Sequence, residues 1–187
     1  MLAYVDPIVE LEHLILQSVQ DIRWAPATAL FVLASAWWVK GPLFILLAGL
    51  GDARSRRRLP LAAVATATSL AFACLVSALL KDTFDRARPE AADPSIVPAI
   101  ATPSNASFPS GHAMTAFATA VVVGALHPRL RWPALAVAAL VALSRVYLGV
   151  HFALDILAGA AIGTAIGFAV VRLARVLAAR TPRVALP

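Results

Sequence analysis

The stretch Phe108-Pro109-Ser110-Gly111-His112 follows a proline-rich polar segment and opens an apolar run, Ala113 to Leu126. Pro109 ends any helix or strand that precedes it, and Ser110 is a favoured N-cap, so the pattern predicts that a helix begins here. Gly111 lets the backbone come close to a bound group. A helix start offers unpaired N–H groups and the positive end of the helix dipole, which together favour an anion such as phosphate. His112 stands beside this predicted anion site and can carry a proton near neutral pH.

The composition predicts an integral membrane protein. Of the 187 residues, 60% are hydrophobic and 14% are charged, and the mean hydropathy of +0.81 is too high for a soluble domain of this size. The net charge of +6 does not indicate nucleic-acid binding, because ten of the sixteen Lys and Arg residues lie in short segments between or after apolar runs. The single cysteine, Cys74, lies within an apolar run and is predicted to be a small packing residue. No basic region precedes the first apolar stretch, so we expect no cleaved signal peptide.

The apolar runs predict one all-α domain over residues 1–187, an integral membrane helical bundle of about five transmembrane helices with an N-terminal amphipathic helix. The amphipathic segment, 1–26, starts at the Asp6-Pro7 helix signal and is expected to lie at the membrane surface or to cap the bundle. The bundle covers 27–171, with a catalytic core over 59–171, and a basic cytoplasmic tail covers 172–187. The predicted spans are 27–50, 59–80, 111–126, 133–148 and 151–171.

Lys40-Gly41-Pro42 interrupts the first predicted span. We favour a proline kink, with Lys40 snorkelling to the interface or facing the bundle interior, because no acidic partner lies nearby in the sequence. An alternative is a lysine near the path of a substrate. Another alternative is a span that begins later, near Trp37-Trp38, with these rings at the membrane interface.

The arginines predict how the chain is oriented. With five spans, ten of them fall on one side of the membrane, and the positive-inside rule makes that side cytoplasmic. The N-terminal helix, the polar segment 81–109 and the corner 144–151 then lie on the external or periplasmic face of the inner (plasma) membrane. Nine of the ten carboxylates share that face, and Asp52 is the exception. The arginines are Arg54, Arg56, Arg57, Arg58, Arg129, Arg131, Arg172, Arg175, Arg180 and Arg183.

Gly159, Gly163 and Gly167 recur every four residues in the last predicted span. Such a stripe of small residues allows two helices to pack closely. Packing within the bundle is the expected use, and a homo-oligomer face is the alternative.

Two further polar stretches lie on the predicted external face. Lys81 and Arg88 are seven residues apart, so a helical continuation of the second span would stack them on one side. Arg145 lies in the last turns of an apolar span, where an arginine is costly unless it has a charged or polar partner. Gly149 can supply the turn that brings Arg145 towards His151.

His151 and Asp155 are four residues apart, which places them on one helical face at the start of the last span. The carboxylate can accept a hydrogen bond from one ring nitrogen, fix the tautomer and leave the other nitrogen nucleophilic. A purely structural His–Asp hydrogen bond is the alternative. The three cations of this face suit a phosphoryl group. No cluster of carboxylates suggests a metal site, so we expect neither a metal nor another cofactor.

Three motifs, Lys81-x6-Arg88-Pro89, Pro109-Ser110-Gly111-His112 and Ser144-Arg145-x5-His151-x3-Asp155, together resemble the signature of the type 2 phosphatidic acid phosphatase family. That family includes bacterial lipid phosphate and polyprenyl diphosphate phosphatases, glucose-6-phosphatase and, more distantly, the vanadium haloperoxidases. All three parts match in order and spacing, and the resemblance covers roughly Leu59 to Val171.

The resemblance implies a role for each matched residue. His151 is the nucleophile that forms a phosphohistidine, Asp155 orients it, and His112 is the general acid that later activates water. The expected phosphate-binding residues are Lys81, Arg88, Ser110, Gly111 and Arg145.

These features predict a metal-independent membrane lipid phosphatase that acts on the external face. Its expected partners are a phosphorylated lipid substrate and membrane lipids, and the candidate substrates are polyprenyl diphosphates, phosphatidic acid and phosphatidylglycerol phosphate. One alternative is a phosphotransferase that moves a lipid phosphate to an acceptor other than water. Another is a non-catalytic lipid-binding bundle.

Overall fold

The computed structural model describes residues 7–55 and 60–180. This part of the chain is all-helical, as the apolar runs predict, and contains eight α-helices and one 3₁₀ turn. The helices are α1 (Pro7–Asp21), α2 (Ala25–Ala34), α3 (Pro42–Arg54), α4 (Leu61–Phe84), α5 (Pro89–Ala92), α6 (Gly111–Leu126), α7 (Arg131–Tyr147) and α8 (Ala153–Arg180), and the 3₁₀ turn is Pro128–Leu130.

Helix α6 is the centre of the bundle. It begins at Gly111 and ends at Leu126, as predicted, and it packs against α4, α7 and α8. Most of its residues are small, and eleven of them are buried. Because Ala, Gly and Thr present little side chain, three longer helices can approach α6 on different faces at once.

Within residues 7–55 and 60–180, three helices are long and apolar enough to cross a membrane: α4, α7 and α8. Helix α4 extends four residues beyond the predicted end of its span, and α8 continues to Arg180 rather than stopping at Val171. Helices α2 and α6 are apolar but shorter. At 16 residues, α6 is about 24 Å long.

The prediction of one continuous first span over 27–50 is wrong. Helix α2 ends at Ala34, the chain turns through residues 35–41, and α3 begins at Pro42. Proline has no N–H to give to a helix interior, but it suits the first turn, so Pro42 starts a new helix. Gly41 packs so closely on the Leu70 side chain that a Cβ there would lie 2.6 Å from a leucine methyl carbon.

Helix α1 lies across one end of the bundle. Its apolar face points away from the protein, with Ile8 54% and Leu11 57% exposed, which fits the predicted position at a membrane surface. The opposite face buries Glu12 and Leu16 where α1 meets α7 and α8. Asp6, part of the predicted helix signal, lies outside the described residues.

One end of the bundle carries basic residues. At this end α3 packs against the end of α6, where Gly51 lies against the His127 ring. The Asp52 carboxylate there accepts hydrogen bonds from Ala62 N at 2.8 Å and Ala63 N at 3.2 Å at the start of α4. Arg54 and Arg129 line a cavity of about 660 Å³ at this end. Arg56, Arg57, Arg58 and Arg183 lie outside the described residues.

The stripe of glycines packs within the bundle, as expected. A Cβ on Gly159 would lie 2.5 Å from the Ser110 carbonyl oxygen, and one on Gly167 would lie 2.7 Å from that of Ala118. Between them, Gly163 lies directly against the Met114 backbone. Helix α8 therefore approaches α6 backbone to backbone over two full turns.

We expect Gly163→Ala to lower the melting temperature of the purified protein by roughly 3–8 °C, because overpacking against a backbone costs about 1–3 kcal/mol. The control is Gly49→Ala in α3, where the nearest atom is 3.8 Å from the added methyl group. Thermal unfolding in detergent measures both. Equal melting temperatures for the two variants would contradict this packing.

Candidate active site

Lys81 and Arg88 meet across a turn rather than along a helix, so the predicted helical stacking is wrong. Helix α4 ends at Phe84, and Asp85 takes a left-handed conformation with φ of 40°. Arg88 then lies in an extended segment just before α5. The Lys81 ammonium donates to the carbonyl oxygens of Ala106 and Ser107.

Arg88 is held by main-chain and amide oxygens rather than by a carboxylate. Its Nε donates to Asn105 O at 2.8 Å, one terminal nitrogen donates to Val150 O at 2.8 Å, and the other donates to Asn105 Oδ1 at 2.7 Å. These bonds fix the guanidinium in place without cancelling its charge. Lys81 and Arg88 are therefore oriented cations that can still attract an anion.

His151 is not on a helix, so the prediction of one helical face for His151 and Asp155 is wrong. It lies in the corner between α7 and α8, where Gly149 has φ of 75° and supplies the expected turn. The predicted pair nevertheless forms, because Asp155 in the first turn of α8 points back at the corner. His151 Nδ1 is 3.3 Å from Asp155 Oδ2. A carboxylate only accepts, so Nδ1 carries the proton and Nε2 is the free ring nitrogen.

Asp155 is surrounded by donors. Its Oδ2 also accepts from Ser107 Oγ at 2.5 Å and from Phe152 N at 3.0 Å, and its Oδ1 accepts from Arg86 at 2.6 Å. Ser107 Oγ is also 3.3 Å from His151 Nδ1. This network fixes the carboxylate, and through it the ring plane of His151.

Arg86 joins the N-terminal helix to this network. One terminal nitrogen contacts Asp155, and the other contacts Glu12 of α1 at 2.5 Å. Glu12 also accepts from Leu154 N at 2.9 Å, and its side chain is only 3% exposed. The guanidinium lies over the Phe152 ring, 4.3 Å from its centroid. Helix α1 therefore supports the corner that carries His151.

Arg145 is hydrogen-bonded to a residue in the turn that interrupts the predicted first span. It lies in the last turn of α7, is 3% exposed, and donates to Ser35 Oγ just after α2. The expected need for a polar partner is met by a hydroxyl, which leaves the positive charge in place. Its Nε is buried and has no hydrogen-bond partner within the described residues.

The start of α6 presents its backbone and His112 to the same place. Ser110 is the N-cap residue, and its N–H donates to Asp155 O at 3.0 Å. Its hydroxyl makes no cap hydrogen bond, and Ser110 Oγ is buried without a partner among residues 7–55 and 60–180. This hydroxyl lies next to Gly111, which lines the cavity described below.

These groups surround one cavity of about 320 Å³, which is within the usual range of about 300–1,000 Å³ for small-molecule sites. Six of the eight predicted site residues line it: Lys81, Arg88, Gly111, His112, Arg145 and His151. Ser110 and Asp155 lie just behind them. No Asp or Glu in the described part of the chain lines the cavity. Nor is any group of three His, Cys, Asp or Glu side chains in that part placed to hold a metal ion.

Two further residues line the cavity. Lys40 faces the bundle interior there, one of the two positions that the favoured interpretation allows, and the alternative of a lysine near the path of a substrate stays a prediction. Cys74 is exposed and lines the cavity, so the prediction of a packing residue is wrong.

The burial of His151 sets its charge. Burial lowers the pKa of His151 to about 4, with Arg88 and Arg145 acting in the same direction and Asp155 acting against them. The imidazole is therefore neutral at neutral pH, the form that can act as a nucleophile.

Comparison with known proteins identifies the fold family. The sequence model of the PAP2 superfamily matches residues 62–177. The chain belongs to the PAP2 superfamily. The match covers all three motifs, so the resemblance to the type 2 phosphatidic acid phosphatases is confirmed.

Named relatives of this PAP2 chain are phosphatases. It is 34% identical to decaprenylphosphoryl-5-phosphoribose phosphatase of Mycobacterium tuberculosis. The match spans 125 residues, which are 67% of this chain and 66% of that protein. It is 35% identical to phosphatidylglycerophosphatase B of Bacillus subtilis, over 51% of this chain and 50% of that protein. The chain thus matches just under two thirds of the first relative's length and half of the second's.

Solved PAP2 structures share the fold. A transmembrane PAP2 type phosphatidylglycerolphosphate phosphatase from Bacillus subtilis superposes with a TM-score of 0.74 at 24% identity, covering 91% of this chain and 87% of that one. LpxE of Aquifex aeolicus superposes with a TM-score of 0.62 at 24% identity, covering 92% and 99%. These likenesses establish a transmembrane helical PAP2 fold.

The sequence interpretation missed five supporting residues: Glu12, Ser35, Arg86, Asn105 and Ser107. Arg86 and Ser107 were detectable in principle, because each is a polar residue two positions from a motif residue. Glu12 and Ser35 gave no local signal. Their partners, Arg86 and Arg145, lie 74 and 110 residues away along the chain.

We expect Glu12→Ala to lower kcat by roughly tenfold or more, because Arg86 and Leu154 N each lose a charged acceptor, and such bonds contribute about 1.5–3 kcal/mol. The control is Glu10→Ala, an exposed carboxylate on the same helix. Steady-state phosphate release measures both. An unchanged kcat for Glu12→Ala in folded protein would show that the corner holds its geometry without α1.

Proposed function

We propose that the protein is a membrane lipid phosphatase that hydrolyses the phosphate or diphosphate of a lipid through a phosphohistidine intermediate. One observation carries the proposal: three distant motifs meet at a single cavity, where a neutral histidine with its Nδ1 held by Asp155 faces oriented cations. The PAP2 family and its named phosphatase relatives support the same reaction class.

Binding depends on the charges. Lys81, Arg88 and Arg145 attract the phosphoryl group, and their fixed positions match the negative charge that its oxygens carry in the transition state. The N–H groups at the start of α6 and the unpartnered Ser110 hydroxyl supply further donors. Since no carboxylate of the described chain lines the cavity, the substrate itself provides the neutralising charge.

Two chemical steps follow. In the first, His151 Nε2 attacks phosphorus, the bond from phosphorus to the lipid oxygen breaks, and His112 gives that oxygen a proton. In the second, His112 takes a proton from water, whose oxygen attacks phosphorus and releases phosphate from His151. Asp155 keeps the proton on Nδ1 and stabilises the positive charge that the ring gains on phosphorylation.

The surroundings of the cavity favour a lipid substrate. Cys74 and Ala78 of α4 are small, exposed and part of the cavity lining, so the cavity opens along the side of a long apolar helix. A lipid can enter sideways through such an opening with its chain still in the bilayer. The arginines at the opposite end of the bundle support an external or periplasmic site by the positive-inside rule.

The relatives suggest which lipids to test. Three relatives are named for a phosphorylated lipid. They are decaprenylphosphoryl-5-phosphoribose phosphatase, phosphatidylglycerophosphatase B and the undecaprenyl-diphosphatase of Sulfolobus acidocaldarius, which is 40% identical over 72 residues. The candidates are therefore polyprenyl diphosphates, phosphatidylglycerol phosphate and phosphatidic acid.

We expect the purified protein to release phosphate from at least one of these lipids, and His151→Ala to lower the rate at least roughly a thousandfold, because the nucleophile is lost. Rapid acid-free quenching with a radiolabelled substrate should trap a phosphorylated wild-type protein. The control is His127→Asn, at the other end of the bundle. Phosphate release by His151→Ala at the wild-type rate, or strong inhibition by EDTA, would contradict the mechanism.

The pH profile tests the state of His151. With a pKa of about 4, protonation at pH 5 should remove only about a tenth of the neutral ring, whereas an ordinary histidine pKa of about 6.5 would remove nearly all of it, a loss of roughly thirtyfold. Because His112 must be protonated to act as the acid, the test uses His112→Asn with a substrate whose leaving group needs no proton. For this pair we expect kcat/KM, corrected for the second ionisation of the substrate phosphate, to keep its neutral-pH value down to pH 5 and to fall through pH 4. An acid limb near pH 6.5 in the corrected data would show that His151 is not neutral at the site.

A further inference from the structure

Lys40 is a fourth cation in the cavity and lies outside the three motifs. It is half-buried in the turn between α2 and α3, in a part of the chain surrounded by apolar helices. It has no ion pair or hydrogen bond with any side chain in the described ranges, although a lysine at membrane depth is costly without a partner. An anion bound in the cavity would offset the charge of Lys40.

The cavity extends along α4, and Lys40 lies near the part of the lining that Cys74 provides. On that helix the lining runs from Lys81 through Ser77 to Cys74, seven residues below Lys81, which is about 10 Å at the rise of an α-helix. Lys40 is coupled electrostatically to Cys74 and to Arg145. Lys81, near the end of α4, lies at the outer end of this path.

The number of positive charges in the cavity also indicates that Lys40 binds an anion. Lys81, Arg88 and Arg145 already match one phosphoryl group, so Lys40 adds a positive charge that a single phosphate does not need. A lipid chain must extend from the reacting phosphorus towards the bilayer core. The portion of the substrate that meets Lys40 is therefore the leaving group, between the reacting phosphoryl group and the chain.

We propose that Lys40 binds a second phosphate group, carried by the leaving group, and thereby makes the site prefer lipids with two phosphates over lipids with one. This inference rests on the proposed phosphatase function. With a lipid diphosphate, the bond from His151 Nε2 to the outer phosphorus forms as the bond from that phosphorus to the bridging oxygen breaks. The bridging oxygen keeps the electron pair, takes the proton of His112 and leaves as part of a lipid monophosphate whose charge Lys40 offsets.

The test compares matched substrates. For Lys40→Gln we expect kcat/KM on farnesyl diphosphate to fall about tenfold or more, mostly through KM, since a charge-assisted hydrogen bond is lost. On farnesyl monophosphate the change should stay within about twofold, and Lys40→Arg should keep most of the preference. Phosphatidylglycerol phosphate and phosphatidic acid form a second pair, in which the second phosphate lies beyond a glycerol. The proposal would be overturned if Lys40→Gln kept the wild-type preference for the lipid with two phosphates in both pairs. It would also be overturned if kcat/KM fell equally on both members of each pair.

Cys74 gives a readout that does not depend on turnover. It is the single cysteine of the chain and lines the cavity beside Lys40, so a thiol reagent reports occupancy there. Pyrophosphate should slow alkylation of the wild-type protein several-fold more than it slows alkylation of Lys40→Gln, and phosphate should protect the two equally. Equal protection by pyrophosphate would count against Lys40 as its ligand.

The two proposals fail in different ways. A wild-type protein that releases no phosphate from any of the four lipids would end the phosphatase proposal, while the alkylation experiment would still measure anion binding at Lys40. A wild-type protein that turns over these lipids, with a Lys40→Gln variant that does so with the same preference, would end only the inference about Lys40.

Discussion

The contact between α8 and the start of α6 is the constraint on which the site depends. Because Gly159 has no side chain, α8 can lie directly against the Ser110 carbonyl. That approach lets Ser110 N donate to the Asp155 carbonyl oxygen at 3.0 Å. One hydrogen bond thus joins the helix start that carries His112 to the helical turn that orients His151. A side chain at Gly159 would therefore push the start of α6, with His112, away from the turn that holds His151.

The site keeps its cations and its carboxylates apart. Lys81 and Arg88 are held by carbonyl oxygens, and Arg145 by a hydroxyl, so each is fixed in position while its charge stays unneutralised. The carboxylates lie on the other side of His151, where Asp155 and Glu12 share Arg86. This separation has a physical reason. A carboxylate in the cavity would compete with the phosphate for the same cations, whereas behind the imidazole it can stabilise positive charge on the ring.

Much of this arrangement was readable in the sequence, and each exception has a physical cause. Helix α6 was predicted to the residue, because Ser110 and Gly111 give a local start signal and the apolar run gives its length. The convergence of the motifs followed from their predicted common side of the membrane and from the family resemblance. The helical stacking of Lys81 and Arg88 failed, because the left-handed turn at Asp85 has no glycine or proline to announce it. The continuous first span failed because hydropathy does not register the backbone break before Pro42. Glu12 and Ser35 were missed because their neighbours come from distant helices, and only the packed bundle brings them together.

The unneutralised charge has a consequence for the end of the catalytic cycle. Four cations line a small cavity without a carboxylate of the described chain among them, so like charges repel one another across it. In the proposed phosphatase reaction, the charges that attract a lipid phosphate would also attract the inorganic phosphate product. Salt that enters the cavity would compete with both, so the proposal makes turnover sensitive to the ionic strength at the membrane surface.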